Sequence, residues 1–331
     1  MLGKHTDWFG LMENTENKIW DEKVLPFELR ISDCRGRIVR LDQTVNDILA
    51  QHDYPKQVES LISEMVIITA LLGSMVESKW KLSLQVQTDG PVRMIATDYF
   101  APAELNAPAS IRAYASYDRT RITDGKPFDQ LGKGYFAVLI DEGKGTKPYQ
   151  ALAPLEGASI AEAAEGYFAA SEQIATKLIV EHGETYMKDK GTQWRAAGML
   201  LQHLPKSLKS EGRNADSEAA QRDHAQRKDE DWNRVNHLLN TVESLELIGP
   251  FVAPAELVWR LFHEEEPAVY EPREVQFGCT CSEERVRQSL SIYGVKDIEK
   301  MTTEDGKVTA DCQFCNRHFE LDPSTVGLEA Q

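Results

Sequence analysis

The rhythm of hydrophobic and polar positions changes along this chain, and each change marks a different kind of segment. Residues 1–24 are polar with scattered aromatics and read as a loose tail. From Pro26 the texture alternates. Phe27-Glu28-Leu29-Arg30-Ile31 and Arg37-Ile38-Val39-Arg40-Leu41 repeat every second residue, with the turn signal Ser32-Asp33-Cys34-Arg35-Gly36 between them, which predicts a hairpin. The spacing then becomes helical. Val45, Ile48 and Leu49 share one face, and Val58, Leu61, Ile62, Met65 and Val66 lead into an apolar run to Val76 that predicts a buried helix. Residues 82–86, 92–95, 111–117 and 135–140 read as strands, the first two joined by an Asp89-Gly90 turn. Residues 159–176 return to helical spacing, with Ile160, Ala163, Ala164, Tyr167 and Phe168 on the inner face. Residues 25–202 are therefore expected to form one α+β domain built on a mixed α/β sheet.

Beyond that domain the pattern fades. Residues 205–231 hold no Val, Ile, Met or aromatic residue, Leu208 is their only large aliphatic, and 13 of the 27 positions are charged. Such a segment buries too little apolar surface to offset the entropy of ordering, so it reads as the disordered part of a linker spanning 203–268. Helical spacing resumes with Trp232, Val235, Leu238, Leu239, Val242 and Leu245, and again after Pro254 with Leu257, Val258, Leu261 and Phe262. The second helix runs into Glu264-Glu265-Glu266-Pro267, where carboxylates oppose the helix dipole and predict a weak point.

The charge balance narrows the partners. There are 37 Lys plus Arg against 53 Asp plus Glu, a net charge of −16. Phosphate backbones and anionic bilayers attract clustered positive charge, so neither nucleic acid nor membrane is expected as a partner. No apolar run reaches the roughly 20 residues of a spanning helix, and residues 1–18 lack the apolar block of a signal peptide, so a cytoplasmic protein is expected.

The cysteines carry the chemistry. Cys34 stands alone in the predicted turn and reads as incidental. The other four form Cys279-Thr280-Cys281 and, after 30 intervening residues, Cys312-Gln313-Phe314-Cys315. Two close pairs separated by a folded insert bring four thiolates to one tetrahedral ion, so Cys279, Cys281, Cys312 and Cys315 are expected to bind one Zn2+ per chain. In the insert, Ser282 caps a helix, Glu283 and Glu284 suit its first turn, and Val286 and Leu290 face inward. Residues 308–310 and 318–321 are expected as short strands. His318 lies nearby, but four thiolates complete the set, and it reads as a non-ligand. The module of residues 269–331 has 63 residues, near the size at which folding alone is marginal. Structural zinc contributes on the order of 10–16 kcal/mol of apparent binding energy, so such a module should melt when the metal leaves. Thiolates are also what peroxide attacks. The quartet is thus expected to sense oxidation, and a disulfide across the one residue of Cys-Thr-Cys would close a very small, strained and reducible ring.

A nucleic-acid-binding zinc ribbon is the competing reading. Against it, residues 271–331 hold 7 Lys plus Arg and 12 Asp plus Glu, a balance of −5. A thiol–disulfide oxidoreductase would start a helix with its cysteine pair, whereas Cys312 and Cys315 follow a strand-like run. Gly132-Lys133-Gly134 lacks the rest of a P-loop, His263-Glu264 lacks the second histidine of a zincin helix, and Ser171 has no glycine-flanked elbow. No enzyme is expected.

Several blocks together resemble the redox-regulated holdase chaperones, the thirty-three-kilodalton heat shock protein family, over roughly residues 25–322. Phe277-Gly278-Cys279-Thr280-Cys281-Ser282 with Glu284-Arg285-Val286 is similar to the family's first cysteine knuckle, and Cys312-Gln313-Phe314-Cys315 to its second. Trp259-Arg260-Leu261-Phe262-His263-Glu264-Glu265 resembles its linker-to-switch junction. Tyr167-Phe168-Ala169-Ala170-Ser171-Glu172-Gln173 and Ala196-Ala197-Gly198-Met199-Leu200-Leu201-Gln202 resemble blocks of its first domain. The resemblance implies a chaperone core over 25–202, a linker over 203–268 and a zinc-binding redox switch over 269–331. It implies an ATP-independent holdase that is inactive when reduced and zinc-bound. Oxidation would form Cys279–Cys281 and Cys312–Cys315 disulfides and release zinc. Switch and linker would then unfold and expose apolar surface for unfolded or oxidatively damaged client proteins, with homodimerisation in the active state. The tail 1–24 and the stretch 205–231 depart from the family pattern and read as insertions.

Overall fold

The computed structural model describes residues 20–77, 79–104, 107–143, 146–189, 191–204 and 218–328. The predicted hairpin is present as β1 (Lys23–Leu29) and β2 (Cys34–Leu41), with Lys23 opposite Arg40 and Leu29 opposite Cys34. Its turn is tighter than expected. Cys34 already lies in β2, and Asp33 adopts the left-handed conformation, φ 49°, that closes the loop. Gly36 is required here, because a Cβ would sit 2.0 Å from the Phe27 ring.

β3 (Lys81–Thr88), β4 (Val92–Phe100), β5 (Ala109–Tyr117), β6 (Gly134–Asp141) and β7 (Tyr149–Pro154) form an antiparallel group. β8 (Thr176–Met187) and β9 (Gly191–His203) form a long hairpin beside β2. β10 (Pro267–Val269) pairs with β1. β11 (Arg273–Phe277) joins the two halves: it runs antiparallel to β1 and parallel to β5, with Val275 opposite Ala109. The order across the sheet is β7-β6-β3-β4-β5-β11-β1-β2-β9-β8.

Both faces of the β1–β2–β9 half are covered, and strand alternation sends side chains each way. Val24, Val39, Leu41 and Leu200 face α1 (Gln43–Leu49), α2 (Lys56–Gly73) and α3 (Ile160–Tyr167). α2 is the predicted buried helix. Leu25, Phe27, Ile38, Met199 and Leu201 face the other way, onto Val235, Leu239, Leu247, Leu257 and Phe262. Those residues come from α4 (Glu218–Leu239), α5 (Ser244–Ile248) and α6 (Pro254–Phe262), the predicted linker. A strand covered on both faces shows a near-continuous apolar run rather than alternation, which hid β9 from the pattern. There Gly198 lets α2 close in, since a Cβ would meet Ile67 Cγ2 at 2.4 Å.

Several expectations are corrected. The tail ends before residue 20: Trp20 packs on the second core, Asp21 pairs with Arg195 at 2.8 Å, and Glu22 accepts the Asp42, Gln43 and Thr44 N–H groups that open α1. Residues 1–19 of that tail lie outside the described residues. The helix expected over 159–176 stops at Tyr167 and adds one wide turn; Gln173 then turns left-handed at φ 55° and β8 begins at Thr176. In the stretch 205–231, residues 205–217 lie outside the described residues, and 218–231 are helical rather than disordered. That half of α4 extends a helix anchored by Trp232, Val235, Leu238 and Leu239, and its Ala, Gln, Arg and Glu are good helix formers.

The acidic end of α6 is a clamp instead of a weak point. Glu265 is 1% exposed and takes a fork from Arg234 of α4, Nε at 2.6 Å and Nη2 at 3.2 Å. Arg40 is buried too, and donates to the carbonyls of Leu247 (2.9 Å), Glu246 (3.1 Å) and Val252 (3.0 Å), fastening the linker to β2.

The C-terminal module holds α7 (Glu283–Leu290), α8 (Val295–Met301), β12 (Val308–Asp311) and β13 (His318–Leu321). Ser282 caps α7 by accepting the Arg285 N–H, as its position predicts. Ile298, Val308, Leu321 and Val326 form a small core, with Val286 and Leu290 against it. Val269 belongs to the second core and β11 to the large sheet, so the self-contained part of this module begins after Phe277.

Candidate metal centre

β11 delivers the first cysteine pair. Gly278 N–H donates to the Ile111 carbonyl at 3.0 Å, and a Cβ at Gly278 would strike the Ser110 side chain, so the chain leaves the sheet at a glycine. The second pair lies between β12 and β13. Cys312 N–H donates to Arg317 O at 2.9 Å, Asn316 N–H donates to Cys312 O at 2.7 Å, and Asn316 is left-handed at φ 52°. Asn tolerates that conformation, which lets the backbone curl its amides around the sulfurs.

The fold brings together all four predicted ligands. The sulfurs of Cys279, Cys281, Cys312 and Cys315 lie within 4.8 Å of one another, half-buried. Across the two knuckles, Cys279 and Cys312 sulfurs are 3.7 Å apart and Cys281 and Cys315 sulfurs 3.4 Å. Tetrahedral zinc at about 2.3 Å from each sulfur requires separations of about 3.8 Å, so the set can hold such an ion. The electrostatics agree with the donor chemistry. Burial opposes the Cys279 thiolate, but the Cys281 N–H and the Arg112 guanidinium outweigh it and bring its pKa down to about 7. Burial and the neighbouring sulfurs push Cys281 up, and burial pushes Cys315 up. Four thiols this close do not all ionise unless a cation sits among them.

His318 is not in the cluster. Its Nδ1 lies 2.6 Å from Asp311 Oδ1. Cys34 is remote and buried, its thiol donates to the Ser32 carbonyl at 3.4 Å, and burial raises its pKa to about 12, which suits a packed side chain and not a nucleophile.

The structure adds a docking contact that no local motif announces. Phe314, between the second pair of cysteines, packs on the sheet. Its ring lies 3.9 Å from the Arg112 guanidinium carbon and 4.9 Å from the Tyr114 ring, nearly edge-on. Arg112 Nη1 also donates to Cys279 Sγ at 3.5 Å and Thr280 Oγ1 at 3.4 Å. Asp98 holds that guanidinium through Nε at 2.7 Å, and Lys81 reaches the other Asp98 oxygen at 2.9 Å. Burial works against the Arg112 charge, and Asp98 more than offsets it. His52 Nε2 and the Gln313 carbonyl are 2.8 Å apart at the far side. The contacts span 167 and 261 residues of sequence, so only the folded sheet creates them.

Comparison with known proteins agrees with this architecture. Residues 22–322 match the family model described as Hsp33 protein. A "33 kDa chaperonin" of Caulobacter vibrioides is 31% identical over 312 residues, covering 92% of this chain and 96% of the relative. One of Photobacterium profundum is 33% identical over 292 residues, covering 88% and 89%. Among solved structures, the heat shock protein 33 homolog of Thermotoga maritima superposes with a TM-score of 0.69 at 21% identity, covering 92% of this chain and 96% of that one, a likeness of fold. The chain belongs to the Hsp33 family.

Proposed function

We propose that this protein is a redox-regulated, ATP-independent holdase whose reduced, zinc-bound form is the resting state. The observation that carries the reading is the covering of the sheet. One face of β1–β2–β9 presents Leu25, Phe27, Ile38, Met199 and Leu201, and the linker helices hide it. The cysteine module sits on the adjoining half through β11 and Phe314. Family members are chaperones, not enzymes, and bind unfolded proteins.

Zinc at Cys279, Cys281, Cys312 and Cys315 would supply folding energy to a module whose own core is small. Each hydrogen peroxide takes two electrons from two thiolates, which form one disulfide, while two protons complete the reduction to two waters. Two peroxides thus convert the quartet to Cys279–Cys281 and Cys312–Cys315 disulfides, leaving zinc without thiolate ligands. The module then loses its hold on Arg112 and Tyr114, the linker loosens from Arg40 and Arg234, and the apolar face opens to cytoplasmic unfolded clients. A homodimer sharing such faces fits the active state.

The test pairs two measurements on one sample. Reduced protein should carry one zinc per chain and protect an unfolding protein poorly. Peroxide with mild heat should release the zinc and suppress that protein's aggregation, and reductant should reverse the disulfides. Equal protection by both forms would refute the switch.

A further inference from the structure

Away from the cysteines, a cleft of about 640 Å3 opens between β2, the C-terminal end of α2 and β11. Arg37 of β2, Arg273 of β11 and Tyr99 line it. Arg273 Nη1 donates to the Ser74 carbonyl at 3.1 Å, just past α2, where the helix dipole is negative. Arg37 has no comparable partner among the described residues. Its Nε is sealed from solvent without a hydrogen bond among the described residues, and the charges that act on the guanidinium are those of Arg273 and Arg35 and the Tyr99 hydroxyl. Burial, then these like charges, pull its pKa down to about 10.

Other buried guanidiniums are satisfied. Arg40 meets carbonyls, Arg112 meets Asp98, and Arg195 meets Asp21 and Asp42. Three carboxylates, Glu77, Glu104 and Glu274, stand exposed at the cleft's rim; Glu274 pairs with Lys23 at 3.5 Å, and none of the three is among the charges acting on Arg37. Arg37 is half-buried, and a guanidinium with a sealed, unpaired Nε beside a second cation gains from an anion that joins the two. Two planar guanidinium forks suit a tetrahedral oxyanion in particular.

We propose that the Arg37–Arg273 cleft binds a small oxyanion of the phosphate type, with the Tyr99 hydroxyl as a further donor. The site stands apart from the redox cycle proposed above and does not depend on it. Its occupant ties β2 to β11, the strand that leads to Cys279.

Calorimetric titration of the reduced, zinc-loaded full chain with inorganic phosphate, at ionic strength held constant with chloride, tests this. Saturable binding of one phosphate per chain is expected, weakened about tenfold or more in R37M and in R273Q, because each loses charge-assisted hydrogen bonds. Sulfate should compete. Absence of saturable binding, or unchanged affinity in R273Q, would overturn the site; so would succinate binding more tightly than phosphate, which would assign it to dicarboxylates. Arg273 is exposed, so R273Q decides the matter even if R37M does not fold.

Discussion

Glu64 illustrates how much one buried side chain can set. It lies on α2 and accepts the Ala161 N–H at 2.9 Å, where α3 begins. Burial raises its pKa from 4.5 to about 7. Between those values the folded protein holds a proton that the unfolded chain has lost, so stability falls as pH rises through the window. Above it the full penalty applies, at most about 3 kcal/mol for a shift of this size. Glu64→Gln keeps an acceptor for Ala161 and removes the charge. It should stabilise the protein at pH 8 by up to about 3 kcal/mol and have little effect at pH 4.5, as read by thermal melts at both. Equal effects at the two values would show that charge is not the cause. At this scale the cysteines were legible and Glu64, Arg40 and Arg112 were not. A ligand pair is written within a few residues, whereas Arg40 finds its carbonyls 206 to 212 positions away.

Elements meet through a few polar or aromatic contacts, and two of these can be cut separately. Arg40→Ala leaves the Leu247, Glu246 and Val252 carbonyls short of a donor, at a cost of about 3 kcal/mol by the usual penalty for unpaired buried groups. The linker should then detach under reducing conditions, seen as new tryptic cleavage within residues 218–262 and as aggregation suppression without oxidant. Wild-type protease resistance in this variant would deny Arg40 that role. Phe314→Ala removes the aromatic and cation–π contacts with Tyr114 and Arg112, worth roughly 1 kcal/mol each. The module should keep its metal but exchange amides faster along β11, and it should activate at lower peroxide. Loss of zinc from this variant would instead place the ring in the metal knuckle's own support. The α2 helix, the first hairpin and the Ser282-capped α7 were readable because their patterns are local. β9 was not, because a strand buried on both faces loses the alternation by which strands are read. The first half of α4 was not, because its order is inherited from Trp232 and Val235 further along.

For the whole molecule, the decisive feature is that β11 sits between β5 and β1 and continues directly into Cys279. The strand that completes the sheet is also the tether of the metal module. The two parts still rest on different supports: the sheet on two large cores, the module on a small one beside four cysteines placed to hold a metal ion. Chelation under reducing conditions should therefore abolish exchange protection in residues 279–328 and leave the main calorimetric transition of the sheet in place. Loss of both together would mean that β11 leaves its slot with the module.

Read alone, the sequence determined the four-cysteine cluster, the acidic balance, the α+β class and the resemblance to a chaperone family. Those rest on short spacings, on composition and on periodic runs, all of which are local. Only the tertiary structure decided that the linker covers an apolar sheet face, that the acidic end of α6 is clamped by Arg234, that Arg112 touches both cysteine knuckles, and that Arg37 and Arg273 line one cleft. Each of these joins residues tens to hundreds of positions apart, and nothing in a local pattern encodes which distant side chain a sheet will bring alongside.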